Sequence, residues 1–132
     1  MVRRKDIGMM DVIAIRPLNT LCDKWGDFDD AYVIGSDGHI YRRLKSGYYR
    51  KREYNYQQVR GYFGTRKQHT VQPARACALA FVPNPHNLSD VDHINNDKTD
   101  NRADNLQWLS HRDNLIKIHA DKINAQKEVN ND

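Results

Sequence analysis

A carboxylate and an imidazole stand side by side at Asp92 and His93, and two asparagines follow at Asn105 and Asn114. Hard divalent cations prefer oxygen ligands such as a carboxylate, and a neutral imidazole can take a proton from water. Because adjacent strand residues point to opposite faces, Asp92 would bind the cation while His93 approaches the same phosphate from the other side. These residue types predict a metal-dependent site that hydrolyses phosphodiesters.

The two later asparagines have different expected roles around this pair. Asn105 would brace the loop that precedes it through its side-chain amide. Asn114 falls in the first turn of a predicted helix, where its amide oxygen can reach the same cation. With only Asp92 and Asn114 as protein ligands, the cation keeps room for water and phosphate, which suits one Mg²⁺ or Mn²⁺.

A strand, a polar loop and a second strand are expected to position these residues. Val91–Ile94 and Leu106–Leu109 are short β-prone runs, and a loop rich in Asn and Asp separates them. Within the second run, Leu106 and Trp108 alternate and therefore share one face. The pattern predicts a strand–loop–strand unit that carries the site.

A capping box from Ser110 to Asp113 predicts that a helix begins at about His111. Three apolar residues at helical spacing are expected to form the buried stripe of this helix. They are Ile116, Ala120 and Ile123. The polar tail after Asn124 is expected to fray, and residues 127–132 are predicted to be disordered.

The residues before the site predict a β-rich segment followed by one helix. Ala31–Gly35 and His39–Leu44 flank an Asp-Gly turn, which is a strong hairpin signal. Further extended stretches are expected at Tyr48–Tyr56, Gln57–Phe63 and Gln68–Val71, the last two forming a second hairpin. Pro73 then opens a helix over Ala74–Phe81, because proline is favoured in a first turn.

Charge is distributed unevenly along the chain, whose formal net charge is +4. Residues 1–75 carry 15 Lys and Arg against 8 Asp and Glu, whereas residues 76–132 carry 6 against 9. Basic residues interleaved with tyrosines, together with others near the site, are expected to contact the phosphates of double-stranded DNA. The predicted DNA-binding residues are Arg42, Arg43, Lys45, Arg50, Lys51, Arg52, Arg66, Lys67, Arg75, Lys98 and Arg102. The interleaved tyrosines are Tyr41, Tyr48, Tyr49, Tyr54, Tyr56 and Tyr62.

Length and composition bound the class of protein. With 132 residues, 39% of them hydrophobic and 29% charged, the chain fits one small domain with a modest core. No apolar stretch approaches the roughly 20 residues that span a bilayer, and no signal peptide is indicated, so we expect a cytoplasmic protein without membrane contact. Cys22 and Cys77 lack the spacing of a zinc knuckle or a disulfide framework and are interpreted as buried or half-buried thiols.

Residues 91–114, VDHINNDKTDNRADNLQWLSHRDN, resemble the HNH endonuclease family, in the phage and intron-encoded branch whose third motif residue is Asn. The upstream run ALAFVPNPHNLSDVDHINND is similar to the helix and turn that lead into the family's finger. Trp25 with YVIGSDGHIYRRLK resembles the β-rich DNA-binding segment often found before it. The resemblance covers about residues 25–119.

The resemblance implies an α+β fold, with a small N-terminal β-rich segment followed by a ββα-metal finger. The expected division is a basic, β-rich DNA-binding segment at 1–72, the nuclease finger with its preceding helix at 73–126, and the tail at 127–132. Where relatives often have a histidine, three positions beyond the helical asparagine, this chain has Lys117.

The resemblance also implies a role for each motif residue. His93 matches the general base of the family, and Asp92 and Asn114 match the ligands of its single Mg²⁺ or Mn²⁺. Asn105 matches the central asparagine, which supports catalysis by bracing the loop between the strands.

The expected function is divalent-metal-dependent cleavage of double-stranded DNA, by a homing-type or free-standing phage endonuclease in a bacterial host. One alternative is a non-catalytic DNA-binding protein that keeps the finger as a scaffold. The basic, tyrosine-rich stretch also allows an RNA-binding protein. The residues do not indicate the target sequence or the physiological metal. They also leave open whether one strand or both strands are cut, and whether the protein is a monomer or a homodimer.

Overall fold

A four-stranded antiparallel sheet forms the first part of the fold. The computed structural model describes residues 13–52 and 57–130. The sheet consists of β1 (Ile15–Pro17), β2 (Tyr32–Gly35), β3 (Ile40–Arg43) and β4 (Tyr49–Lys51), adjacent in that order. The hairpin predicted around the Asp-Gly turn is β2–β3, in which Ile34 pairs with Ile40. Residues 53–56, part of the expected extended stretch, lie outside the described residues.

Two further hairpins and two helices follow the sheet. They are β5 (Val59–Gly61) with β6 (His69–Val71), α1 (Pro73–Phe81), β7 (Asp90–His93) with β8 (Leu106–Leu109), and α2 (His111–Asn130). Both hairpins are antiparallel, and a 3₁₀ turn at Ala103–Asn105 leads into β8. The predicted α+β fold is confirmed, including the β7–β8–α2 unit.

One hydrophobic core joins the sheet to the C-terminal unit. Its buried residues include Ile34 and Ile40 of the sheet, Cys77 of α1 and Trp108 of β8. Helix α1 contacts β2, β7 and β8, so it connects the two parts. Trp25 is also buried there. The core therefore takes residues from both sides of the boundary expected at 72.

The turn of the β2–β3 hairpin packs directly against the loop between β7 and β8. Gly38 has a φ of +86°, and a Cβ at this position would lie 2.3 Å from the carbonyl oxygen of Asn101. Nearby, the backbone N–H of Ala103 donates to the carbonyl oxygen of Ser36 at 2.9 Å. Only glycine combines this backbone conformation with so close an approach. The sheet thus fixes the position of the β7–β8 loop.

Replacement of Gly38 by alanine is expected to push that loop away and to lower stability. A left-handed non-glycine residue costs on the order of 1 kcal/mol, and the clash with the Asn101 backbone adds to that cost. We expect the thermal unfolding midpoint, measured by circular dichroism, to fall by more than about 4 °C. Gly47→Ala is the matched control, because Gly47 has a φ of +89° but a Cβ added there would meet no atom within 4 Å. Equal losses in the two variants would contradict the packing role of Gly38.

Helix α2 turns a different face inward from the one expected. Ile116 is 55% exposed and Ile123 is 39% exposed, and Ala120 is exposed as well, so the predicted buried stripe is wrong. The side chains of α2 that bond to β7 are instead polar, namely His111, Asn114 and Lys117. The reason is that this helix packs against the polar edge of the finger rather than against the hydrophobic core.

The length of α2 also differs from the expectation. The helix continues to Asn130, so residues 127–130 are helical rather than disordered. Residues 131–132 of the predicted tail lie outside the described residues. No helix in the described part of the chain is long and apolar enough to cross a membrane.

Candidate functional site

Asp92 lies on the side of β7 that faces α2. Its Oδ2 accepts hydrogen bonds from Lys117 Nζ at 2.6 Å and from Gln107 Nε2 at 2.8 Å. Gln107 is the cross-strand partner of Asp92 in β8. The Asp92 side chain is 12% exposed. The two donors therefore hold a largely buried carboxylate in one orientation.

The side chain of His93 contacts the loop between β7 and β8. Its Nε2 lies 2.7 Å from Oδ1 of Asn101. Because an amide oxygen only accepts hydrogen bonds, Nε2 is the donor in this contact, and in a neutral ring Nδ1 is then the acceptor. Asn101 is 5% exposed, and its backbone is the one packed against Gly38. Asn101 is not among the predicted site residues, and its amide holds the imidazole in one orientation.

Asn105 is buried inside the loop that connects the two strands. Its Nδ2 donates to Asn95 Oδ1 at 3.0 Å and to the Asp100 carbonyl oxygen at 2.8 Å. Its Oδ1 accepts from the backbone N–H of Asn95 at 3.2 Å. These are the bracing contacts expected from the sequence. Any effect of Asn105 on catalysis acts through the loop and stays a prediction.

Asn114 is held by the carboxylate of Asp90, which is not among the predicted site residues. Its Nδ2 donates to Asp90 Oδ2 at 3.0 Å, which leaves the amide oxygen for another partner. Asp90 also accepts hydrogen bonds from His111 Nδ1 at 3.0 Å and from Ser89 Oγ at 2.7 Å. These three bonds, that from His111 above all, lower the pKa of Asp90 to about 2. The sequence does contain a signal for Asp90. It lies two residues before Asp92, and this spacing places both carboxylates on one face of β7.

One cavity of about 580 Å³ collects most of these side chains. It is lined by Gln57, Gln72, Ala74, Arg75, Val91, Asp92, His93, Asn96, Lys98, Asn101, Asn114, Lys117, Ile118, Asp121 and Lys122. Basic side chains outnumber carboxylates among them. The cavity therefore suits an anionic ligand such as a phosphate diester.

The cavity offers oxygen donors to a cation. Asp92 has a carboxylate and Asn114 an amide oxygen, and both residues line the same space. In the described part of the chain, no three His, Cys, Asp or Glu residues are grouped as a complete metal site. Two oxygen ligands fit Mg²⁺ or Mn²⁺, because such cations keep several water molecules when bound. The donor set thus fits one hard divalent cation.

The predicted basic residues of the sheet are divided between its two faces. Arg42 pairs with both Tyr32 and Arg50 across neighbouring strands, so these three side chains share a face. The guanidinium groups of Arg42 and Arg52 each lie 5.9 Å from the centre of the Tyr32 ring. We call Arg42, Arg50 and Arg52 the arginine face. It lies on the same side of the sheet as the residues that enter the main core.

The opposite face carries the other basic residues of these strands. Arg43 and Lys51 alternate with the residues of the arginine face and therefore point the other way. Arg43 is paired with Asp30 at 3.4 Å. The remaining predicted residues, Lys45, Arg66 and Lys67, are exposed in turns. A single flat duplex surface could not engage both faces of the sheet at once.

Three predicted basic residues lie near the finger, and they differ in their contacts. Arg75 and Lys98 line the cavity. The Arg75 guanidinium lies 5.5 Å above the Trp108 ring, and that position orients it. Arg102 instead pairs with Asp100 through Nε at 2.9 Å and does not line the cavity. Contact of any of the three with DNA stays a prediction.

The tyrosines near the basic stretch are not all available to a nucleic acid. Tyr41 and Tyr49 are buried in a small cluster with Val33, so their rings are not exposed to a nucleic acid. Tyr48 and Tyr62 are 41% and 58% exposed. Tyr54 and Tyr56 lie outside the described residues.

Comparison with known proteins gives matches to HNH endonucleases. The family model described as HNH endonuclease matches residues 82–116. An uncharacterized HNH endonuclease of Acanthamoeba polyphaga mimivirus is 51% identical over 43 residues, which are 31% of this chain and 11% of the relative. A second one from the same virus is 35% identical over 63 residues, which are 42% of this chain and 19% of the relative. The chain thus spans less than a fifth of the length of these relatives.

The fold is also similar to a solved structure, that of the HNH homing endonuclease I-HmuI, described for its DNA binding and cleavage. The TM-score is 0.63 at 20% sequence identity, and the match covers 89% of this chain and 66% of the other. This likeness extends well beyond the finger, so the β-rich segment and the finger occur together in both folds.

Proposed function

We propose that this chain, which belongs to the HNH endonuclease family, hydrolyses phosphodiester bonds of double-stranded DNA with one divalent cation. The observation that carries the proposal is the convergence on one cavity of a candidate base, two oxygen donors and an excess of basic side chains. The candidate base would accept a proton, the two oxygen donors would bind the metal, and the basic side chains would bind the phosphates.

His93 is the proposed general base. Its Nε2 is tied to Asn101, so Nδ1 is the nitrogen that can accept a proton from the attacking water. The bond to Asn101 also keeps the ring from turning away from the cavity. Asn101 is accordingly a positioning residue, which acts through His93 rather than on the substrate.

Asp92 and Asn114 are the proposed ligands of the cation. The bond from Asn114 to Asp90 fixes which end of the amide faces the cavity, so Asp90 is a positioning residue for this ligand. A bound Mg²⁺ or Mn²⁺ supplies the positive charge that stabilises the transition state and the leaving oxygen. The carboxylate of Asp92 is held in one orientation by the hydrogen bonds that Lys117 and Gln107 donate to its Oδ2.

The arginine face is the proposed contact with DNA outside the cavity. Changing Arg42, Arg50 and Arg52 together to glutamine is expected to weaken DNA binding and to reduce its salt dependence. The slope of log K against log salt should become shallower by about 0.9 for each lost phosphate contact, or roughly 2.7 in total. Fluorescence anisotropy at several salt concentrations measures this slope.

The matched control changes Arg43 and Lys51, on the opposite face, to glutamine. We expect this variant to keep most of the wild-type salt dependence. If it loses as much of the slope as the arginine-face variant, or if the arginine-face variant keeps the wild-type slope, the assignment of the binding face is wrong.

The proposed setting is a homing-type or free-standing nuclease that acts where its target DNA is, inside a cell. The likeness to a homing endonuclease and the viral relatives support this setting. A phage as the source stays a prediction.

A supercoiled-plasmid assay tests the proposed function. With Mg²⁺ or Mn²⁺ we expect open-circular or linear product, and with EDTA we expect none. The same preparation is assayed by gel retardation on duplex DNA. Retardation without cleavage, on plasmid and on candidate target DNA alike, would favour a DNA-binding protein that keeps the finger only as a scaffold.

A further inference from the structure

Lys117 makes two close polar contacts at the proposed metal site. Its ammonium lies 2.6 Å from Oδ2 of Asp92 and 3.1 Å from the backbone carbonyl oxygen of His93. The side chain is only 24% exposed, and that of Asp92 is 12% exposed. The lysine is therefore held by the carboxylate of the proposed metal ligand and by the backbone of the next residue, in surroundings that weaken screening by solvent.

The contact sets Lys117 apart from the other lysines of the cavity. Lys98 and Lys122 line the same space and are exposed, and among the described residues their ammonium groups have no hydrogen bond or ion pair. Lys117 alone of the three is committed to the carboxylate that would bind the cation. This difference separates a specific interaction from the general positive charge of the cavity.

A divalent cation and an ammonium group that both contact one carboxylate repel each other strongly, because their positive charges are then close together. Asp92 carries one negative charge, which cannot neutralise both. Either the cation binds against the repulsion of Lys117, or the lysine must leave Asp92. In both cases the ion pair lowers the affinity of the site for the metal.

We propose that Lys117 is a built-in competitor of the divalent cation for Asp92, so that the DNA-free protein holds its metal weakly. A DNA phosphate in the cavity would accept the ammonium group, release Asp92 and thereby strengthen metal binding. Because such coupling is reciprocal, the metal would strengthen DNA binding to the same extent. The proposal rests on the proposed role of Asp92 as a metal ligand.

The test compares Mn²⁺ affinity in the absence of DNA, by electron paramagnetic resonance of the free ion. Lys117→Met keeps the aliphatic stem and removes the charge, and it should lower the Mn²⁺ dissociation constant about tenfold, as expected for the loss of one charged hydrogen bond. Lys122→Met removes a charge from the same cavity and should change the constant by less than about twofold. Lys117→Arg keeps the charge and should keep weak binding.

A second measurement follows the coupling. In the His93→Ala background, which is expected to leave DNA uncut, a short duplex should tighten Mn²⁺ binding. The gain should be smaller when Lys117 is also changed to methionine, since the competitor that DNA displaces is then absent. An equal gain in both backgrounds would show that DNA acts on the metal without Lys117.

The outcomes separate this inference from the proposed function. An unchanged or weaker Mn²⁺ affinity in Lys117→Met, with normal thermal unfolding, overturns the competition. A gain in Lys122→Met equal to that in Lys117→Met also overturns it, because only bulk charge would then be involved. If Asp92→Asn binds Mn²⁺ as well as the wild type does, the metal site itself is wrongly assigned and the inference fails with it.

Discussion

His93→Ala is expected to reduce the rate of DNA cleavage by roughly 10³-fold, within the range that a positioned general base contributes. The reason is that Nδ1 of His93 is the proton acceptor that its bond to Asn101 leaves available in the cavity. DNA affinity should change little, because no phosphate-binding charge is lost. Single-turnover cleavage and anisotropy, measured on the same duplex, separate the two effects.

His119→Ala provides the matched control for this prediction. His119 is exposed on α2 and does not line the cavity. Its replacement should leave the cleavage rate within about twofold of the wild type. Full cleavage by His93→Ala would exclude His93 as the base, and an equal loss in His119→Ala would point to a general effect of removing histidine.

Asp92→Asn is expected to weaken Mg²⁺ or Mn²⁺ binding by at least about 100-fold, since even groups that only orient metal ligands contribute 10–100-fold. The substitution removes the only carboxylate of the proposed ligand pair and leaves Lys117 without its anionic partner. Cleavage should fall in parallel and should recover in part as the metal concentration rises. Calorimetry of Mn²⁺ binding and plasmid cleavage over a range of metal concentrations measure both effects.

Asp121→Asn is the control for charge alone. Asp121 lines the same cavity from α2, so its replacement lowers the negative charge by the same amount. We expect a much smaller loss of metal affinity there. Similar losses in the two variants would mean that the cavity attracts cations by bulk charge and that Asp92 is no special ligand.

Local signals in the sequence were sufficient for most of the architecture. The Asp-Gly turn predicted the β2–β3 hairpin, and Pro73 marked the start of α1, because both depend on backbone preferences of one or two residues. The capping box at Ser110 is confirmed by its hydrogen bond from the backbone N–H of Asp113 at 3.0 Å. Such short-range interactions depend on residues that are neighbours in the sequence, so they can be recognised without knowledge of the tertiary structure.

Helix α2 shows why the spacing of apolar residues alone gave a wrong prediction of the buried face. Apolar spacing indicates that one face of a helix could be buried, but it does not say what that face meets. Here the inward positions are Asn114, Lys117 and Asp121, which recur at helical spacing and line the cavity. Because this helix packs on a polar site, its isoleucines are left exposed. The pattern that mattered was the polar one.

The positioning residues of the site were hidden for a different reason. Asn101 is one of several asparagines in its loop, and only the three-dimensional packing against Gly38 places its amide on His93. Asp90 likewise becomes relevant only because α2 returns across β7 and brings Asn114 to it. Contacts between distant parts of a chain depend on the whole fold, so one sequence does not reveal them.

Crystals soaked in Mn²⁺ and measured at an anomalous wavelength would show most directly whether the cation and the base share one cavity. We predict a single strong anomalous peak roughly 2 Å from a carboxylate oxygen of Asp92 and from the amide oxygen of Asn114. This peak should lie in the cavity that His93 also lines. A peak held instead by the loop carboxylates Asp97 and Asp100, or no peak at a saturating concentration, would contradict the proposed site.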